Sequence, residues 1–214
     1  SPAAALVAFP EAVIQDPASH LVTWYANISP GMEVADLCAA PGGKALTIAT
    51  GVRSTLAADC SESRMRMVQE NAKRTGVEVN CVVADAHNPP IKSADAILLD
   101  VPCTGTGTLA RHPDIRWRLS PDSVSKITRV QDRLLDSAAP LVRVGGLLIY
   151  STCTLEPEEN HELVEGFLLR NPGFELEPSD TVDGEFLDES GYLCVHPDKD
   201  GRDGSFAARL RRMH

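Results

Sequence analysis

Residues 97–107, ILLDVPCTGTG, constrain the fold more than any other stretch of this chain. A short apolar run ends in an acid, a proline, a cysteine and a Gly/Thr-rich turn. Such a run, bounded by turn signals, reads as a buried strand. Groups just beyond the end of a buried strand lie at the carboxyl edge of an open α/β sheet, where ligands collect. Cys103 is therefore a candidate nucleophile presented to a crevice, with Asp100 beside it.

The rest of the chain repeats this grammar. Residues 34–37, 55–58, 79–83, 94–99 and 147–152 read as five strands. Between them come helices expected over 16–26, 62–75, 121–141 and 157–170. Asp16, Ser61 and Ser120 are suited to cap the first three, and Gly76 stops the second. Residues 174–200 are turn-rich, and 205–210 read as a final edge strand. Strands alternating with helices imply a mostly parallel sheet. No repeat or low-complexity linker divides the chain, so residues 1–214 are expected to form a single domain, with 1–30 as a lead-in segment.

No apolar run approaches the ~20 residues of a membrane span, and no signal peptide is recognisable. The six cysteines occur singly, without CxxC spacing, which favours a reduced, cytoplasmic setting and no metal site. Most of them are expected to be small buried hydrophobes. The chain begins at Ser1 rather than a methionine and is expected to be part of a longer protein. The net charge of −10 argues against nucleic acid, but the charge is uneven. Residues 156–200 carry fourteen acids and two bases, whereas 111–133 carry six bases and three acids. A local basic strip guides a polyanion even when the sum is negative.

Three expected strands end in an acid: Asp59, Asp85 and Asp100. The first lies 16 residues after Gly43, in the turn DLCAAPGGK at 36–44, close to the offset at which an acid meets a ribose in nucleotide-binding folds. The turn is neither GxGxxG nor a phosphate loop. Lys44 is suited instead to neutralise a carboxylate such as Asp100. Cys103 and Cys153 follow consecutive strands, so both can face one pocket as nucleophile and proton-transfer assistant. Arg111, His112 and Arg116 either contact phosphate or form a salt-bridged loop with Asp114. Trp117 reads as a packing residue. His20 and His161 receive no role.

DLCAAPGGK at 36–44, LLDVPCTGTG at 98–107, RHPDIRW at 111–117, STCTLEPEEN at 151–160 and the terminal DGSFAARL resemble the RNA cytosine-C5 methyltransferases, nearest the bacterial 16S ribosomal RNA enzymes of the Sun/Fmu type. The resemblance implies a class I S-adenosylmethionine-dependent, Rossmann-like α/β fold. Its sheet would be mostly parallel and seven-stranded, with an antiparallel last strand and helices on both faces. It implies a donor held by Cys38, Ala39, Ala40, Pro41, Gly42, Gly43 and Lys44, with Asp59 on the ribose, Asp85 near the adenine and Arg64 assisting. Asp100 would stand between donor and cytosine. Cys153 would be the nucleophile and Cys103 the group that assists release, the reverse of the DNA enzymes. Arg111, His112 and Arg116 would be RNA contacts, and the implied partner is 16S ribosomal RNA, with no metal and no membrane. The resemblance also implies that relatives carry an N-terminal RNA-binding domain, which is expected to lie outside this sequence. Val101 replaces a common alanine and Thr154 a common serine. The alternatives are a nicotinamide-dependent oxidoreductase on a related fold and a non-catalytic ribosome-assembly protein.

Overall fold

A computed structural model describes residues 2–9, 11–197 and 201–214. Three strands, β1 (Glu33–Asp36), β2 (Ser54–Asp59) and β3 (Asn80–Val83), form one half of a sheet. The other half contains β4 (Ala94–Asp100), β5 (Val142–Thr152), β6 (Phe174–Leu176), β7 (Leu193–Val195) and β8 (Ser205–Arg212). The order is β3-β2-β1-β4-β5-β8-β6, with β7 also paired to β8. Strands β1 to β5 are mutually parallel and β8 runs antiparallel to β5. The sheet thus has the seven expected strands in one path and the short β7 as an eighth.

The apolar runs of β4 and β5 are continuous because both faces of the sheet are covered. With side chains alternating along a strand, Ile97, Leu99, Leu148 and Tyr150 meet α6 (Pro121–Ala138) and α7 (His161–Arg170) through Leu134, Leu135, Val164 and Phe167. On the opposite face Ala96, Leu98, Leu147 and Ile149 meet Ala26 of α2 (Pro17–Ala26), which follows the short α1 (Pro2–Ala8), and Ile48 of α3 (Gly43–Ala49). The helix α4 (Glu62–Thr75) buries Met65, Val68 and Ala72, residues three or four apart on one stripe. Its N-cap Ser61 accepts a hydrogen bond from Arg64 N–H, and Gly76 ends it in the left-handed conformation. Asp16 caps α2 in the same way, and Ser120 with Ser123 forms a capping box on α6.

Two expectations are corrected here. Residues 205–210 are not an edge strand: β8 is interior, flanked by β5 on one side and by β6 and β7 on the other. Six consecutive buried residues in β8 are the signature of a strand covered on both faces. The acidic segment 174–197 supplies the two short strands that cover its outer edge. The helix expected over 157–170 is interrupted at Asn160, with a 3₁₀ turn at Pro157–Glu159 before α7.

At the start of α7 the His161 Nε2 lies 2.7 Å from Asp188 Oδ2, and its ring packs edge-on against Tyr192 and Phe206. These contacts pin the acidic segment to the core. No helix among the described residues is long and apolar enough to cross a membrane.

Candidate active site

The parallel strands deliver four acids and a thiol to one edge of the sheet. Asp36 ends β1, Asp59 ends β2, Asp100 ends β4, and Cys153 follows β5 directly. Asp85 lies two residues beyond β3, exposed, where its Oδ1 accepts from the His87 backbone N–H and lies 2.9 Å from the ring Nδ1.

The glycine turn after β1 is held tightly. Gly42 has φ +108°, and an added Cβ would approach Val68 Cγ1 of α4 to 3.2 Å, so the turn needs glycine there. Asp59 is buried and accepts from the N–H groups of Ser61 at 2.9 Å and Ala40 at 3.4 Å. Arg64 crosses from α4 to donate to the Ala40 carbonyl at 2.7 Å and pairs with Asp59 at 3.4 Å. Beside the turn opens a cleft of about 350 Å³ lined by Asp36, Ala40, Gly43, Lys44, Asp100 and Arg111, among others. Asp36 is buried; its Oδ1 accepts from Cys38 N–H at 3.2 Å, while its Oδ2 has no hydrogen-bond partner among the described residues. Burial, then the Asp100 charge, push the Asp36 carboxyl up to about 8.

Lys44, on the first turn of α3, places Nζ 2.7 Å from Asp100 Oδ2, and Ser151 Oγ donates to Asp100 Oδ1 at 2.8 Å. Burial favours the neutral amine, but the charge and hydrogen bond of Asp100 outweigh it and raise the Lys44 ammonium above its ordinary value. Both oxygens of Asp100 are therefore engaged, which fixes the carboxylate at the seam between the glycine turn and β5.

Cys103 and Cys153 meet with their Sγ atoms 3.2 Å apart, and the Cys153 N–H donates to Cys103 Sγ at 3.3 Å. Their loops interlock through backbone. Gly107 N–H donates to the Cys153 carbonyl, and a Cβ on Gly107 would stand 2.7 Å from the Gly204 oxygen and 2.8 Å from the Cys153 oxygen. Glu159, fully buried, accepts from Thr104 N–H at 3.0 Å, from the Thr104 hydroxyl and from Gln131 Nε2 at 2.8 Å. Asn160 bonds the Thr152 hydroxyl and donates to the Thr154 carbonyl, closing the turn around Cys153.

The two thiols are polarised in opposite senses. The hydrogen bond with Cys103 holds the Cys153 thiol below its ordinary value against burial and the Asp100 charge, with Lys44 adding to the lowering. The same hydrogen bond, then burial, push the Cys103 thiol well up.

The basic residues separate. Arg111 ties Asp16 of the α2 cap to Asp203 before β8 and borders the cleft beside the glycine turn. His112 instead lines a second cleft of about 450 Å³ together with Cys103, Thr104, Ile115 and Arg118. Arg116 is exposed and faces neither cleft. The Asp114 partner is Arg118, one helical turn on in α5 (Ile115–Arg118). Trp117 is no packing residue: it is 85% exposed, because α5 turns only Ile115 inward. The six cysteines are free thiols: Cys38, Cys81 and Cys194 pack half-buried against the core as small hydrophobes, whereas Cys60 and Cys153 are exposed.

Asp36, Ser151 and Glu159 escaped the sequence reading. For Asp36 the signal was present, since it occupies in β1 the strand-end place of Asp59 and Asp100. That signal is masked in one dimension because the apolar run continues past Asp36 to Leu37, whereas β1 ends at Asp36.

A mostly parallel sheet with an antiparallel strand next to β5, bearing a glycine turn after β1 and paired thiols after β4 and β5, defines a methyltransferase-type Rossmann-like domain. The family model described as 16S rRNA methyltransferase RsmB/F matches residues 25–211. The chain is 37% identical over 201 residues to the ribosomal RNA small subunit methyltransferase B of Thermus thermophilus, covering 94% of this chain and 50% of that protein. It is 38% identical over 203 residues to the protein of that name from Vibrio vulnificus, covering 92% and 46%. The crystal structure of NSun6 from Pyrococcus horikoshii with SFG superposes with a TM-score of 0.83 at 33% identity, covering 94% of this chain and 53% of that one. The chain belongs to the RsmB/F family of 16S ribosomal RNA methyltransferases. It spans about half the length of the curated relatives it matches.

Proposed function

We propose that this chain carries the catalytic machinery of an S-adenosylmethionine-dependent enzyme that forms 5-methylcytidine in 16S ribosomal RNA. The observation that carries this reading is the pair of thiols 3.2 Å apart, one of them lowered, beside a Lys44–Asp100 ion pair at the mouth of a family glycine turn. The residues fit the donor. The unpartnered Asp36 Oδ2 borders the cleft and suits the ammonium of a methionyl group, while Cys38–Lys44 offer backbone close to the cleft wall. SFG, present in the Pyrococcus horikoshii structure, is an analogue of this donor. In this reading Asp59 takes the ribose hydroxyls, Asp85 the adenine edge, and Arg64 braces the turn. When bound, the donor supplies an electrophilic methyl group.

The chain's own residues do the rest. Cytosine C5 is too weakly nucleophilic to be methylated directly, so Cys153 adds to C6 and makes the ring enamine-like at C5. Asp100, held by Lys44 and Ser151, faces N3 and stabilises the adduct. After methylation the C5 proton leaves to Cys103 once that thiol has released its own proton, or to a water that Cys103 positions, and the electron pair left at C5 expels the Cys153 thiolate from C6. The second cleft, lined by Cys103, Thr104 and His112, suits an unstacked base, with Arg118 near its phosphate. At a net charge of −10 the chain by itself binds RNA weakly in this reading, and further RNA contacts come from sequence of the kind that makes up the other half of its relatives.

The test uses the full-length protein, radiolabelled donor and unmodified 16S ribosomal RNA. Cys153→Ala abolishes transfer while donor affinity stays within about twofold, less than ~0.5 kcal/mol. Cys103→Ala accumulates a covalent protein–RNA adduct that survives denaturation. An adduct that persists in Cys153→Ala reverses the assignment of the two cysteines.

A further inference from the structure

His161, Asp188 and Cys194 have no metal-binding spacing in the sequence, being 27 and 6 residues apart. The fold brings them to one point from three elements. His161 opens α7, Asp188 stands in the turn before β7, and Cys194 is the middle residue of β7. Leu193 and Val195 pack with Leu21, Val22 and Tyr25 of α2, so the alternation of the strand turns Cys194 to the other face, toward α7. His161 Nε2 lies 2.7 Å from Asp188 Oδ2, and Cys194 Sγ lies 3.7 Å from the first and 3.8 Å from the second. An imidazole nitrogen, a carboxylate oxygen and a sulfur thus close a triangle, one donor atom from each residue.

The triangle is braced from outside. Asp188 Oδ1 accepts from the N–H groups of Ser190 at 2.9 Å and Tyr192 at 3.0 Å, which aims Oδ2 at the other two donors. The imidazole is set by edge-on packing against Tyr192 and Phe206, with ring centroids 5.1 and 4.9 Å away. Gly191 holds the turn, with φ +90° and no room for a Cβ, which would stand 2.4 Å from Pro178. Such outer contacts are what fix ligands in a metal site. The side chains of His161 and Asp188 remain 36% and 27% exposed, so an ion can enter and keep water on its free side. The surrounding segment, residues 156–200, carries fourteen acids and two bases, a field that draws in a cation. None of the three residues lines either cleft at the sheet edge.

We propose that His161, Asp188 and Cys194 form a zinc site that clips the start of α7 to β7 and the turn before it. Around a tetrahedral zinc ion, with bonds of about 2.0–2.3 Å, ligand atoms stand about 3.4–3.6 Å apart. Both contacts of Cys194 already match this to within about 0.2 Å, and the His161–Asp188 contact opens by roughly 0.7 Å to admit the ion. The Cys194 thiol proton goes to solvent, and His161 carries its proton on Nδ1, which frees the Nε2 lone pair. The mixed sulfur, nitrogen and oxygen set suits zinc, whereas calcium and magnesium take oxygen ligands. Three protein ligands with water as the fourth make a site weaker than a closed four-ligand one.

The experiment is titration with zinc, against a chromophoric chelator, of the untagged full-length protein carrying Cys103→Ser and Cys153→Ser, so that the paired thiols cannot compete. It needs neither RNA nor methyl donor, so it stands or falls apart from the methyl-transfer reading. The expected result is one equivalent of zinc held with a Kd of roughly micromolar size, weakened at least about 100-fold by a further Cys194→Ser or Asp188→Asn, since even outer contacts of a metal site are worth 10- to 100-fold. Cobalt(II) in place of zinc gives a thiolate-to-metal charge-transfer band that Cys194→Ser removes. Zinc raises the thermal unfolding midpoint of the parent protein and leaves that of Cys194→Ser unmoved. A plain ion pair between His161 and Asp188 would show none of these. Absence of zinc binding below about 100 μM overturns the proposal, as does zinc binding or a cobalt band that persists unchanged in Cys194→Ser. If Asp188→Asn does not fold, Cys194→Ser decides alone, because it leaves the 2.7 Å contact between His161 and Asp188 in place.

Discussion

Asp36→Asn isolates the most perturbed acid of the cleft beside the glycine turn. Asp36 is 1% exposed, has one oxygen without a hydrogen-bond partner among the described residues, and is raised from 3.8 to about 8 by burial and by Asp100. Between these two values the native protein holds a proton that the unfolded chain has released. Stability must therefore fall as pH rises through this window. Below the unfolded value the group contributes no pH dependence, and above the folded value the loss is complete. The slope is about 1.4 kcal/mol per pH unit for one proton, so from pH 5 to pH 7.5 Asp36 removes about 3 kcal/mol. Asparagine does not titrate, and its own constant packing effect cancels when the difference between the proteins is followed with pH. Urea unfolding of both proteins across that range, with m-values checked for two-state behaviour, measures it. The expected outcome is a variant that gains on the wild type by about 3 kcal/mol between the two ends. A difference that stays flat with pH would refute the reasoning. Saturating S-adenosylmethionine should flatten the wild-type slope as well, because a cation beside Asp36 favours its ionised form.

Three further outcomes test other parts of the structure. Gly107→Ala forces a Cβ to within 2.8 Å of two backbone oxygens, so the loops carrying Cys103 and Cys153 must separate. The variant should lose methyl transfer at least about tenfold, by analogy with misplaced catalytic groups, while donor binding measured by calorimetry is retained. Phe167→Ala removes a fully buried ring between α7 and the sheet and should lower stability by about 3–5 kcal/mol in urea unfolding. Glu159→Gln replaces the carboxylate that Thr104 and Thr154 share, and methyl transfer in the radiolabel assay should fall by about tenfold, as for a misplaced catalytic loop.

Much of the fold was legible in one dimension. The apolar runs ending in Asp59, Asp100 and Cys153, separated by capped helical stretches, require parallel strands whose functional ends lie on one edge. The glycine turn at 36–44 and the two cysteines after consecutive strands are visible from spacing, whereas the PC and TC dipeptides take their meaning from the family resemblance. The C-terminal third read less well. Its short strands β6 and β7 have three residues each and little periodicity, and only pairing with β8 defines them. Trp117 misled for a related reason: an aromatic side chain carries no local mark of which way a one-turn helix will face.

The sequence alone specifies the alternation of strands and helices, the glycine turn, and the placement of reactive groups at strand ends, because each depends on contacts between near neighbours in the chain. Everything that gives the groups their chemistry is decided in three dimensions. Lys44 and Asp100 are 56 residues apart, Cys103 and Cys153 are 50, and Thr104 and Glu159 are 55. Burial of Asp36 and Glu159 likewise depends on helices and loops from distant parts of the chain. Charge states follow from desolvation and from partners brought in across the sheet, so residues of one type, such as Cys103 and Cys153, are shifted in opposite directions only once the chain has closed around them.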